Sequence, residues 1–307
     1  TLRWRHEGEA KALAFAADGK ILAATSQDGL IYFFATATGK VVDRLRPPSR
    51  NNWGIDTIAF SPDGKYFATQ DASAAIHLWD AQTKKLVRTL AAPANNFGHG
   101  QLRSICFSAD GKRLAASAGP DHIVVWDVDV GQPVAHLRGH KHGNPAIAFH
   151  PDGGVLAVVA GNPMVQLWDA RAGKFLRGFN PKQPHALSIA FSPDGKTVAT
   201  GSQHSEGGQP DLIVLSETAT GKELGRLEAK MTGVLQLAFT PDGKTLVSGS
   251  EDAKVRVWDI ATSKERFVLD SRGWIGRSLA VSADGKTAAM GTVYNLIRLW
   301  DLTTGQE

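Results

Sequence analysis

The sequence predicts an all-β fold: one seven-bladed β-propeller of four-stranded antiparallel blades, a single domain over residues 1–307. Three observations carry this. Asp-Gly turns recur at Asp18, Asp63, Asp110, Asp152, Asp194, Asp242 and Asp284, and their closest spacing is 42 residues (110 to 152, 152 to 194, 242 to 284). Apolar residues alternate at period two between turn signals, as in Phe239 to Asp259 (FTPDGKTLVSGSEDAKVRVWD), the pattern of half-buried antiparallel strands. A repeat of this length holding four short strands is the signature of a propeller blade. The blades fall at roughly 1–46, 47–91, 92–138, 139–180, 181–228, 229–270 and 271–307.

Within each repeat the first strand has two characters. Five residues before the turn aspartate stands Leu13, Ile58, Ile105, Ile147, Ile189, Leu237 or Leu279, and three before it Phe15, Phe60, Phe107, Phe149, Phe191, Phe239 or Val281. Between them stands Ala14, Ala59, Cys106, Ala148, Ala190, Ala238 or Ala280. A large face opposite a small one lets neighbouring sheets interdigitate closely, and places Cys106 as a small buried hydrophobe rather than a reactive thiol. At the following turn, Pro62, Pro151, Pro193 and Pro241 pre-set φ, and the glycine takes the left-handed conformation that closes the hairpin. The third strand ends in Trp-Asp, and a Thr-Gly-Lys type turn leads to a fourth strand such as Lys40 to Leu45. After Thr304-Gly305 that fourth strand is missing. Residues 1–6, with Leu2 and Trp4 on one face, have its character, so the two termini are expected to pair and close the ring.

The chain resembles the WD-repeat family over essentially its whole length. The resemblance rests on Trp79-Asp80, Trp126-Asp127, Trp168-Asp169, Trp258-Asp259 and Trp300-Asp301, each at a fixed distance after an Asp-Gly turn, while Phe34-Ala35 and Ser216-Glu217 depart from it. It implies a seven-bladed propeller used mostly as a protein-interaction platform. It also implies a buried network of a His before the blade, a Ser or Thr on the second strand and a turn Asp, all linked to the Trp. Here His6 and His140 match the first position, Thr69, Thr200 and Ser248 the hydroxyl, and Asp28 and Asp252 the carboxylate, but no blade has the full set. Apolar packing is therefore expected to carry the stability, with unpaired members of the network facing solvent. The Ser-Pro-Asp-Gly-Lys style resembles propellers of bacterial multidomain proteins.

Copies differ in length at three places: three extra residues before Asp63, five before Asp110 and six between Asp194 and Glu217. The first two fall in connections between blades, the third between the second and third strands of blade five. In an up-and-down blade both connection classes emerge on one face, and loop variation on a rigid scaffold is where binding usually resides. Those loops carry Trp53 and Trp274 at one repeat position, Tyr294, the arginines Arg50, Arg272 and Arg277, and Phe97 and His99. Aromatics with arginine match interface hot spots, and blades seven, one, two and three are contiguous, so an arc of partner-binding residues is expected. The alternative for Trp53 and Trp274 is that they fold down and plug their own blades.

The function expected is a non-catalytic scaffold binding a protein or peptide, with another domain of the same polypeptide as one partner. An enzyme or small-molecule binder using the channel mouth is the second reading. The pI of 9.1 invites a nucleic-acid partner, but turn lysines such as Lys20, Lys65 and Lys112 are spread around a ring and interleaved with aspartates, not gathered in a stripe. The single cysteine excludes an internal disulfide and weakly favours the cytoplasm. No apolar run approaches the ~20 residues of a membrane helix. The chain starts at Thr1 rather than Met, as a piece of a longer protein would. Gly-Lys-Thr at 195–197, 243–245 and 285–287 lacks the phosphate-loop context, and the histidines His136, His140, His142 and His150 are expected as polar caps, not as metal ligands. No cofactor is implied. A closed ring with no free edge is expected to be a monomer.

Overall fold

The computed structural model describes residues 3–5, 9–48, 55–71, 75–90, 104–118, 121–139, 145–160, 164–183, 185–203, 211–271, 278–292 and 296–307. They form seven four-stranded antiparallel sheets, and among the described residues there is no helix. In six sheets the strands follow one another in chain order. The seventh is ordered Arg3–Arg5, Leu296–Asp301, Thr287–Gly291, Leu279–Val281. The first strand of every blade packs on the first strands of both neighbouring blades, which closes the ring and puts these strands nearest the axis.

The large and small faces of each first strand turn to different neighbours, but the third strand of blade one is large on both faces. Leu13, Leu22, Tyr32 and Phe34 of blade one meet Ala289, Ile297 and Leu299 of blade seven. On its other side blade one offers Ala12, Ala23, Ile31 and Phe33 to Ile58, Phe67 and Trp79 of blade two. Cys106 packs in the equivalent seam between blades three and four, where burial pushes its thiol up to about 12.

All seven Asp-Gly turns have the glycine in the left-handed region, φ +69° to +72°. Their second fastening was not read from the sequence. Two residues before the aspartate, Ser61, Ser108, Ser192, Thr240 and Ser282 donate a hydroxyl hydrogen bond to its carboxylate. The same carboxylate oxygen accepts the backbone N–H of the lysine two residues on. From blade two onward each turn glycine faces the preceding blade's turn: Gly64 faces Ala17, Gly111 faces Asp63, Gly243 faces Pro193. These turns therefore share one face. Antiparallel order puts the inter-blade and second-to-third-strand connections at the opposite end of every sheet.

Ring closure runs through the terminus, as the sequence suggested. Trp4 pairs with Ile297 and Arg3 with Arg298, while the Gln306 carbonyl accepts from the Asp301 N–H at the other end of the same strand. Trp4 is 3% exposed and stacks on Phe34 of blade one at 5.4 Å. Its indole lies directly against Gly39, whose φ of +68° and lack of Cβ leave room for it. Trp4→Leu, the residue several other outer strands carry here, should cost about 1–2 kcal/mol, seen as a fall of a few degrees in melting temperature. An unchanged melt would mean that the strand does not hold the ring. Closure does not extend the strand pairing around the circumference. Each sheet still ends in an outer strand with one unpaired side, so the expectation that a ring leaves no free edge, and the argument for a monomer drawn from it, does not hold at the circumference.

The tryptophan network departs from expectation in an instructive way. Trp79 and Trp258 donate to Thr69 and Ser248 at 3.0 and 2.9 Å. Blade three has the indole without the hydroxyl: Ala116 stands at that position, and Trp126 Nε1 is buried without a partner. Blade five has the hydroxyl without the indole. With Ser216 in the tryptophan position, Thr200 Oγ1 and Ser216 Oγ are both buried and unpartnered. Unpaired members were expected to face solvent. They do not, because their positions lie in the middle of strands sandwiched between blades.

The two blades without tryptophan are compensated from outside. The outer-strand residue paired with Ile31 or its equivalent on the third strand is Leu45, Leu90, Leu137, Leu227 and Leu269 in five blades, but Trp4 in blade seven and Phe179 in blade four. These precede blades one and five. Trp4 covers Phe34; Phe179 lies against Gly221 and packs with the cluster containing Val198 of blade five.

Candidate functional site

At the inner end of the variable-loop face, the first strands are bulged. In blades one, two, five and six the pairing register shifts by one residue at the same place, at Lys11, Asp56, Leu187 and Leu235. A bulge re-aims the extra side chain. Here the strands are innermost and the residues partly exposed, so they form the rim of the central opening. Lys11 Nζ reaches Asp56 Oδ1 of the next blade at 2.9 Å. The rim is thus charged on the side of blades one and two and apolar on the side of blades five and six. In the sequence this column, seven residues before each turn aspartate, mixes charged and apolar residues, whereas the column two residues on, Leu13 and its equivalents, is apolar in every repeat. That contrast was available and passed over; it also contains Arg277, which was singled out for its loop.

The connections behind the apolar side are held firmly. Gln203 donates its amide to Glu251 across blades five and six, and the Glu251 N–H bonds back to the Thr232 and Gly233 carbonyls. Asp211 accepts the Gly233 N–H at 2.6 Å. Met231 is 2% exposed and plugs the seam between blades five and six, while the next residue, Thr232, is exposed.

Two blades carry the same clamp. Asp28 accepts from the Tyr32 hydroxyl at 2.6 Å in blade one. Asp252 accepts from Arg256 at 2.6 Å in blade six. Arg256, 3% exposed, also donates to Ser250 and to the Lys230 carbonyl in the connection from blade five, each at 2.8 Å. Glu265 lies 3.2 Å from its Nε, close in charge but not aligned as a hydrogen bond. Burial works to raise the Asp252 pKa; the Arg256 and Ser250 hydrogen bonds outweigh it and hold the carboxyl below its usual value. Arg298 is the blade-seven counterpart, bonded to the Asp270 carbonyl and the Glu307 carboxylate.

Among the described residues no three His, Cys, Asp or Glu side chains gather in a way that could hold a metal. Of the clustered histidines, His136 bonds to buried His122 at 3.0 Å, and His150 pairs with Asp152 at 2.9 Å; His140 and His142 lie outside the described residues. Burial, with Arg138 and His136 nearby, holds His122 below the usual histidine pKa. No helix is long and apolar enough to cross a membrane, among the described residues. All eight residues expected to bind a partner, Arg50, Trp53, Phe97, His99, Arg272, Trp274, Arg277 and Tyr294, lie outside the described residues.

A family model described as "WD domain, G-beta repeat" matches residues 3–34, 43–80, 85–127, 131–169, 174–205 and 221–259. These segments cover well over half of the chain and include both blades without tryptophan, at least in part. No curated protein matches the chain.

Proposed function

Because this chain belongs to the WD40 repeat family, whose propellers are commonly protein-interaction scaffolds, we propose that it is a non-catalytic scaffold binding a protein or peptide segment on its variable-loop face. The observation that carries this is the confinement of length change. All three insertions fall in connections at that end, while the turns at the other end keep their length and their hydrogen bonds. Such a pattern is expected where a scaffold's constant side supports and its varied side recognises.

The rim gives the partner a direction. A segment crossing the opening meets the Lys11–Asp56 pair on one side and Leu187 and Leu235 on the other. Trp53 and Trp274 are the aromatic anchors of this reading. Thr232 holds their repeat position in blade six and is exposed, whereas Met231 beside it is the plug. Tryptophan at that repeat position offers a large anchor, and Arg50, Arg272 and Arg277 stand near Trp53 and Trp274 in the sequence. Another domain of the same polypeptide is the first partner to test.

The test is Trp53→Ala and Trp274→Ala, with stability measured beside binding of the isolated candidate domain. Each change should weaken binding about tenfold or more and leave the denaturation midpoint almost unmoved. A stability loss of about 3 kcal/mol or more in each would make them core plugs instead. Cross-links that map to Lys65 and Lys244 rather than to Lys11 would put the interface on the wrong face.

A further inference from the structure

We infer that the circumference of blades two to four is a second docking surface, suited to an extended acidic and apolar polypeptide segment laid along the outer strands. The first ground is charge. The outer strands Leu86–Leu90, Pro133–Arg138 and Phe175–Phe179 carry Arg88, Arg138 and Arg177 and no carboxylate. The turns leading into these strands add Lys84, Lys85, Arg171 and Lys174, against Asp80, Asp127, Asp129 and Asp169. Outer strands elsewhere are mixed: Asp43 in blade one, Glu223 and Glu228 in blade five, Glu265 and Asp270 in blade six. Ion pairs bound the region at both ends, Lys84 with Asp43 at 3.4 Å and Arg226 with Glu223 at 2.8 Å.

The second ground is apolar exposure. Of nine large apolar side chains exposed among the described residues, six lie on these three blades. They are Leu86, Val87, Val130, Val134, Phe175 and Leu176, at 40–64% exposure. The third is the backbone: each strand is the last of its sheet, so half of its main-chain donors and acceptors have no strand beside them. Main-chain pairing supplies affinity in strand addition, and alternate side chains supply specificity.

Charge decides the occupant. A second copy pairing edge to edge would bring cationic strands together, and like charges opposed across strands are unfavourable. A strand alternating Glu or Asp with Val, Ile or Leu instead offers carboxylates to Lys85, Arg88, Lys174 and Arg177 and apolar residues to Val87, Val134 and Leu176. The circumference is convex, so a flat lipid surface touches little of it, whereas a short extended chain can lie along an outer strand.

The experiment is hydrogen exchange and titration of the whole chain with a short peptide alternating Val and Glu, a Val-Lys peptide as control, and anionic lipid vesicles. Slowed exchange is expected in the outer strands of blades two to four alone. Binding should weaken several-fold between about 50 and about 200 mM salt. The exposed-site variant Lys85→Glu with Lys174→Glu should lower affinity about tenfold without shifting the melt. Val134→Ser with Leu176→Ser should do the same through the apolar contacts. The proposal is overturned by equal binding of the Val-Lys peptide, by protection on the variable-loop face, by vesicle binding without peptide binding, or by no binding at millimolar peptide.

Discussion

Arg256→Ala is expected to destabilise the protein by about 3–5 kcal/mol, because it strands Asp252 in a partly buried site with its cation gone. The guanidinium satisfies four groups: the two oxygens of Asp252, the Ser250 hydroxyl and the Lys230 carbonyl across the blade seam. Removing it therefore loosens both the blade-six turn and the junction with blade five. Replacing both partners by apolar residues, Arg256→Met with Asp252→Ala, should cost clearly less than Arg256→Ala, since no charge is then left unpaired. Denaturant midpoints at constant m-value measure this, and a double variant worse than Arg256→Ala would refute the account.

The same pair sets a pH dependence. The Asp252 pKa is lowered in the folded state, so its contribution is fully present above the unfolded aspartate value, about 3.9, and is lost as pH falls through the lower folded value. Turn aspartates with lowered pKa values act in the same sense, so the Asp252 part is read by difference. Asp252→Asn should be less stable than the parent at neutral pH, and the gap should narrow below about pH 4. A gap that widens on acidification would reverse the assignment.

The second large effect concerns the aromatic borrowed by blade five. Phe179→Ala should cost about 3 kcal/mol, because the ring packs with Ile189 and Val198 and against Gly221 in a blade whose third strand has Ser216 where the other blades have an aromatic. Ser216→Trp alone should cost about 1–3 kcal/mol through overpacking against Phe179. Combined with Phe179→Leu, the arrangement becomes that of blade six, and the new indole gains the Thr200 hydroxyl that is now buried without a partner. The double variant should therefore be at least about 1 kcal/mol more stable than the sum of its parts predicts. Strict additivity would show that Phe179 does not stand in for the missing ring.

What could be read from the sequence and what could not divides along a physical line. Phe15 and its equivalents, alternating with Ala14 and its equivalents, revealed which side of each sheet packs closely, because side-chain period and strand pleat are the same two-residue repeat. The turn glycines and the strand character of Trp4 were legible for similar local reasons. The role of Thr200 was misjudged because exposure depends on the neighbouring blade, which lies dozens of residues away in the chain. The Arg256 clamp escaped notice for a related reason, since the carbonyl it reaches belongs to Lys230, in the connection from blade five, 26 residues back in the chain.

By itself, then, the chain's residue pattern determined the strands, the turns, the number of blades and the pairing of its ends, all of which rest on spacing within one repeat. Only the tertiary structure decided that Lys11 meets Asp56 at a rim, that Phe179 serves blade five, and that the outer strands keep an unpaired side. Those facts depend on which blades become neighbours and on how a bulge turns a side chain. Contacts of that kind form between repeats, where no local pattern records them.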